Sequence, residues 1–223
     1  MEKINLKLMG ENDFCIQESF KVLRTNLQFC GKDIHTIAFT SCRENEGKTT
    51  VVLNLGQSLA ELGKKVLIID ADMRKSVMAG RNSTAKNAAG LSEVLTGMAK
   101  LGDCIYETQY EYLHVMFAGK YPPNPVELLG GAYFTALLSE TKKYYDYILV
   151  DTPPLGAVID AAVAASNCDG SILILSERNI HSRQVQDVLA QLQKGECKIL
   201  GVVRNRIKSQ RKDYKQRKPY YYR

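Results

Sequence analysis

Apolar residues along the 223-residue chain fall into short runs separated by longer amphipathic stretches. The runs "IHTIAFT", "KVLIID", "YLHVMFA", "YDYILVD", "GSILILS" and "ILGVVRN" predict strands. Several are unbroken Val/Ile/Leu, as strands covered on both faces require. Between them the spacing becomes helical. In "TTVVLNLGQSLAELG", Val52, Leu55, Leu59 and Leu62 share one face, and Gly63 supplies a C-terminal stop. In "NPVELLGGAYFTALLSE", Asn124 is placed to cap, Pro125 fits the first helical position, and Glu127 can close a capping box. Strand–helix alternation throughout predicts an α/β fold with a mainly parallel sheet, whose ligands bind beyond the carboxyl ends of the strands. The polar, small-residue segment "MRKSVMAGRNSTAKNAAG" reads as a mobile loop.

Composition narrows this picture. Hydrophobic residues make up 45% of the chain, enough for a substantial core in one domain. Cys15, Cys30, Cys42, Cys104, Cys168 and Cys197 form no CxxC pair, so they read as reduced thiols of a cytoplasmic protein. The first residues lack a signal-peptide pattern, and no run of about 18 apolar residues is present to span a membrane. The net charge of +6 has one source. From Lys208 onward there are seven cations and one anion, so residues 1–207 are formally neutral. The sequence therefore divides into a domain over 1–207, with an N-terminal helical segment at about 12–30, and a basic flexible tail over 208–223 that carries Tyr214, Tyr220, Tyr221 and Tyr222. His35, His114 and His181 have no mutual spacing that suggests a metal site or a triad.

Three stretches carry chemistry. "TSCRENEGKTT" follows the first predicted strand and opens a helix, with Gly47-Lys48-Thr49 matching the end of a phosphate-binding loop. Backbone N–H groups at such a helix start face phosphate oxygens, Lys48 reaches the β- and γ-phosphates, and Thr49 presents a hydroxyl to Mg²⁺. Cys42 stands where the full pattern has Gly or Ala, and Asn45 where positive φ is common. "VLIIDADMR" ends a buried strand with Asp70 and Asp72 two residues apart, which an extended chain points to one side. Such a carboxylate pair beside a phosphate loop suits Mg²⁺ binding and proton abstraction. "YDYILVDTPP" delivers Asp151 to the sheet edge as a metal-side acid, and its prolines stop the strand.

Together with "ESFKVLRTNLQF", "GLSEVLTG" and "PPNPVELL", these motifs resemble the bacterial tyrosine kinases of capsule and exopolysaccharide systems, in the firmicute arrangement of a separate cytosolic kinase. The resemblance implies a P-loop fold related to MinD and ParA proteins, ATP and Mg²⁺ as cofactors, and autophosphorylation of Tyr214, Tyr220, Tyr221 and Tyr222 in a neighbouring subunit's site. It implies nucleotide contacts at Glu46, Gly47, Lys48, Thr49, Thr50 and Asn205, the last with adenine. It also implies catalytic roles for Lys48, Asp70 and Asp72, with Asp70 as base or orienting group, and metal contacts at Thr49, Asp72 and Asp151. A ring-forming ExxRxxR helix corresponds to Glu18, Lys21 and Arg24, and helical spacing lets all three face a partner. Lys21 lacks the planar fork of arginine. The implied partners are further copies of the chain, a membrane polysaccharide co-polymerase acting as adaptor at the inner face of the membrane, and a tyrosine phosphatase.

Two other readings compete. A MinD- or ParA-type positioning ATPase would carry a second lysine where Arg43 stands, and its membrane forms end in an amphipathic helix that this tail does not encode. A basic, aromatic tail could also bind nucleic acid or anionic lipid, although no specific nucleic acid is expected. Each phosphotyrosine adds about −1.5 to −2 charges. The tail is therefore expected to act as an electrostatic release, held by an acidic site until it is modified.

Overall fold

The computed structural model describes residues 2–8, 10, 13–81, 88–177 and 181–207. The tail and all four of its tyrosines lie outside the described residues, as do residues 82–87 of the polar segment. Among the described residues, eight strands form one sheet: β1 (Lys3–Ile4), β2 (Thr36–Ser41), β3 (Val66–Asp70), β4 (Tyr106–Thr108), β5 (Leu113–Met116), β6 (Tyr147–Asp151), β7 (Gly170–Ser176) and β8 (Ile199–Asn205). Their order is β1-β4-β5-β3-β6-β2-β7-β8. The six strands from β5 to β8 are parallel, and β4 runs antiparallel to β5. All six predicted strands are present; β1 and β4 are additions at one edge.

The helices are α1 (Phe14–Gln28), α2 (Lys48–Ala60), α3 (Met78–Arg81), α4 (Leu91–Leu95), α5 (Pro125–Gly130), α6 (Ala132–Thr141), α7 (Asp160–Ser166) and α8 (Ser182–Lys194). The period-two alternation of the strands sorts them onto two faces. Ile37, Phe39, Ile68 and Leu149 pack with Leu27 of α1 and with Val52, Leu55 and Leu59 of α2. Leu67, Ile69, Ile148 and Val150 face the opposite way, onto Leu91, Leu129 and Phe134 from α4 to α6. On that second face Ala38 and Leu173 meet Ala161 of α7 and Val188 of α8. Both faces are thus covered, which is why the strand runs are continuous.

Three local expectations change. Asn124 occupies the N-cap position of α5, but its ψ of 63° departs from the extended cap geometry and its side chain makes no capping hydrogen bond. The helix it starts also ends early, because Gly130 and Gly131 separate α5 from α6. Within the segment read as a mobile loop, Met78–Arg81 is helical, with Met78 buried in the core. Gly63 does close the turn after α2, at φ +72°. Among the described residues, no helix is long and apolar enough to cross a membrane.

Candidate active site

The loop from Ser41 to Gly47 joins β2 to α2 at the carboxyl end of the sheet. Two residues take left-handed backbone conformations, Asn45 at φ 60° and Gly47 at φ 89°. Asn tolerates that region, so Asn45 does the work of a glycine. At Gly47 a Cβ would lie 2.2 Å from Asn205 Nδ2, so space as well as φ requires glycine. The departure at Cys42 also has a reason. Its side chain is buried beside Leu155 and Ala161, and its carbonyl lies so close to Gly156 that a Cβ there would sit 2.0 Å away. Burial first, then the Glu46 charge, pushes the Cys42 thiol up to about 11, so it packs as a small apolar group.

Glu46 and Asn205 hold this loop from within. The Glu46 carboxylate accepts from the amides of Arg43 and Ser176. Asn205 Nδ2 donates to the Glu46 carbonyl at 2.9 Å, and Asn205 Oδ1 accepts from the Arg206 amide. In this structure both residues therefore brace the phosphate loop from within the chain. Thr50 lies in the first turn of α2, where its carbonyl accepts from Asn54.

Lys48 and Thr49 open α2. Thr49 Oγ1 donates to Asp151 Oδ2 at 2.6 Å, joining the phosphate loop to the end of β6. Asp151 and Asp70 are register partners on adjacent strands. Asp70 is 1% exposed; its Oδ1 accepts from the Asp72 amide and its Oδ2 from the Ser76 hydroxyl. Burial first, then the Asp151 charge, pushes its carboxyl well above the usual carboxylate range. The two acids of "DAD" therefore do not share one setting. Asp70 lies under the loop, whereas Asp72 lines an open cleft of about 510 Å³ together with Glu44, Lys48, Arg74 and Lys75.

The donors fit a nucleotide-bound Mg²⁺. Thr49, Asp72 and Asp151 offer hard oxygen atoms, and two crowded carboxylates, Asp70 and Asp151, favour a cation beside them. Among the described residues, no cluster of three or more His, Cys, Asp or Glu forms a protein-only cage. Mg²⁺ sites that keep waters and phosphate oxygens as ligands need none.

Two ion pairs frame the cleft and were not anticipated. Arg74 Nε and Nη2 donate to both oxygens of Asp160, at 2.7 and 3.2 Å. This fork ties the loop bearing Asp72 to the start of α7, beyond Asp151. Lys75 meets Glu44 at 2.7 Å across the rim. Arg74 stands inside the "DADMR" motif, but Asp160 follows "AVI" with no motif to mark it. The cleft lining sets Glu44 and Asp72 against Lys48, Arg74 and Lys75, so it carries charges of both signs.

The proposed interface residues are only partly outward. Glu18 and Lys21 pair with each other on the exposed face of α1. Arg24 turns inward: its side chain is 14% exposed, and Nη1 donates to the Ser58 carbonyl at 2.7 Å, near Glu61. It thus satisfies a carbonyl in the last turn of α2, where the helix dipole favours a cation. Arg43, at the position of the rival family's second lysine, donates to Gln184 of α8 within its own chain.

An AAA domain profile matches residues 34–197. The tyrosine-protein kinase CpsD of Streptococcus agalactiae is 44% identical over 191 residues, covering 86% of this chain and 83% of that one. The crystal structure of the chimerical protein CapA2B2 superposes with a TM-score of 0.84 at 30% identity, covering 92% of this chain and 93% of that one. The septum site-determining protein MinD of Pyrococcus horikoshii, complexed with Mg-ADP, gives 0.62 at 29% identity over 76% of this chain and 69% of that one.

Proposed function

The chain belongs to the bacterial tyrosine-protein kinases, and from that membership we propose that it moves the γ-phosphoryl group of ATP to tyrosines of its own C-terminal segment, one copy acting on the next. The observation that carries this reading is the meeting of Lys48, Thr49, Asp72 and Asp151 at one end of the sheet, with Thr49 bonded to Asp151.

The amides at the start of α2 and the Lys48 ammonium hold the β- and γ-phosphates. Thr49, Asp72 and Asp151 would hold Mg²⁺, which when bound would supply charge neutralisation to the transferring group. The tyrosine oxygen bonds to the γ-phosphorus as the bond to the ADP oxygen breaks, and ADP leaves with that electron pair. The phenol proton leaves to solvent at the open cleft as the new bond forms, and Asp70, buried with its proton affinity raised, serves as the orienting group. Asp70 also holds the Asp72 amide, so it orients the loop that faces the substrate. Arg74 keeps that loop at a fixed distance from α7.

The same reading extends to regulation of capsular or extracellular polysaccharide synthesis, at the inner face of the membrane, with a membrane adaptor and an opposing tyrosine phosphatase. A positioning ATPase would share the nucleotide site. The internal bond from Arg43 to Gln184 and the S. agalactiae relative both favour the kinase reading.

Purified chain incubated with MgATP is expected to gain phosphate on one or more of Tyr214, Tyr220, Tyr221 and Tyr222, read by peptide mass spectrometry. Lys48→Met is expected to reduce the transfer at least about 100-fold, in line with loss of a main phosphate-positioning group. ATP hydrolysis with no phosphotyrosine would instead support the positioning ATPase.

A further inference from the structure

The cleft has two unlike walls. Glu44, Lys48, Asp72, Arg74 and Lys75 make one side charged, whereas Val77, Pro154, Ala157 and Val158 make the other apolar. Polyphosphate has no use for the apolar wall, since it gains only from donors and cations. Its position also separates it from the nucleoside. Lys48 lines the cleft, and the lysine of this motif reaches the β- and γ-phosphates, so the cleft lies at the phosphoryl-donating end. What enters there beyond the γ-phosphate is the acceptor.

We infer that the wall of Val77, Pro154, Ala157 and Val158 seats the phenol ring of the acceptor tyrosine and so selects tyrosine over serine or threonine. The inference rests on the kinase reading above. A ring buries a large apolar area while its hydroxyl remains free at the tip, which suits a wall leading to a charged floor. Serine would leave the wall wet and its hydroxyl short of the phosphate. The wall is accessible at Val77, which is 43% exposed, and at Ala157, while Val158 is half-buried and Pro154 buried. The segment following Ile207 is the occupant. It holds sixteen residues and four tyrosines. Extended, it reaches about 50 Å at 3.3 Å per residue. Four strand spacings separate β8 from β3, about 19 Å. The reach exceeds this width of one chain, leaving length for a tyrosine to cross to the cleft of an adjoining copy.

Ala157→Phe fills the wall, and because the site is exposed the fold should accommodate the ring. Val77→Ser makes the opposite change, removing apolar surface without adding bulk. Both are made in the full chain and assayed with MgATP and a synthetic peptide, YKQRKPYYYR, as acceptor. The inference expects KM for the peptide to rise by about 10-fold or more in each, as altered apolar pocket contacts do, while KM for ATP stays put. A parallel rise in KM for ATP assigns the wall to the nucleotide and overturns the inference. Unmoved peptide KM in both variants overturns it as well and leaves the kinase reading intact. A wild-type chain that transfers no phosphate to tyrosine overturns both.

Discussion

The parallel strands carry aspartates at both ends, and the two ends treat them in opposite ways. At the amino end, Asp169 precedes β7 and accepts from the amides of His35 and Thr36, the Thr36 hydroxyl and the Lys142 ammonium. Burial pushes its carboxyl up, but the Lys142 bond and the Thr36 and His35 bonds outweigh it, and the net direction is down. Asp146, before β6, likewise accepts from the Lys65 amide. At the carboxyl end, Asp70 is buried next to Asp151 and its proton affinity is raised. One end uses acids to fasten strands. The other gathers acids that are better off with a cation, which marks a functional site. That end also holds the phosphate loop.

The largest effect on stability is expected from Asp169→Ala, which leaves the His35 and Thr36 amides short of an acceptor at the amino end. A loss of about 2 kcal/mol, read from chemical denaturation at pH 7, is expected from that orphaning. The pH dependence follows from the lowered carboxyl. The folded-state value lies below the unfolded one, so the stabilisation is present above about pH 4 and fades as pH falls through the folded value. The gap between wild type and variant should therefore narrow as pH falls through the folded-state value. A constant gap would break the comparison at this end.

Asp70→Asn should act in the opposite direction, by about 1 kcal/mol of added stability, while kinase activity is lost. Here the folded-state pKa is raised. As pH climbs above the unfolded value, the unfolded chain releases a proton that the folded chain retains, so wild-type stability falls. The amide carries no such penalty, and its advantage should vanish below about pH 3.5. The smallest effect belongs to Glu44→Gln. Its partner Lys75 is exposed and the pair spans the solvated rim, so no measurable change in melting temperature is expected. A clear loss would show that the rim is structurally coupled to the acid cluster.

The division between the two ends was half visible in the sequence. Buried runs such as "VLIID" and "YILVD" announce both the strands and the acids at their carboxyl ends, because a doubly covered strand leaves a continuous apolar signal. Edge pairing leaves little: β1 is two residues and β4 three, and each is defined by its partner. Asp169 gives no local signal, since its bonds to His35 and Thr36 reach back more than 130 positions. Spacing places Glu18, Lys21 and Arg24 on neighbouring parts of α1, but it does not say how a long side chain bends, and Arg24 bends to Ser58. Asn205 is similar. Its position at the end of β8 was legible, and its bond to the Glu46 carbonyl required knowing that β8 ends beside the phosphate loop. Asp70 and Asp72 were read as equivalent in direction. The turn after β3, which folds the Asp72 amide back onto Asp70, separates them.

The melting temperature of Asp70→Asn against wild type at pH 7, without nucleotide, tests the account most directly. The variant is expected to melt higher, because the folded chain no longer has to retain a proton at position 70 that the unfolded chain releases. A variant that melts lower would show that Asp70 fastens the fold as Asp169 does, and that the carboxyl end bears no stability cost for its chemistry.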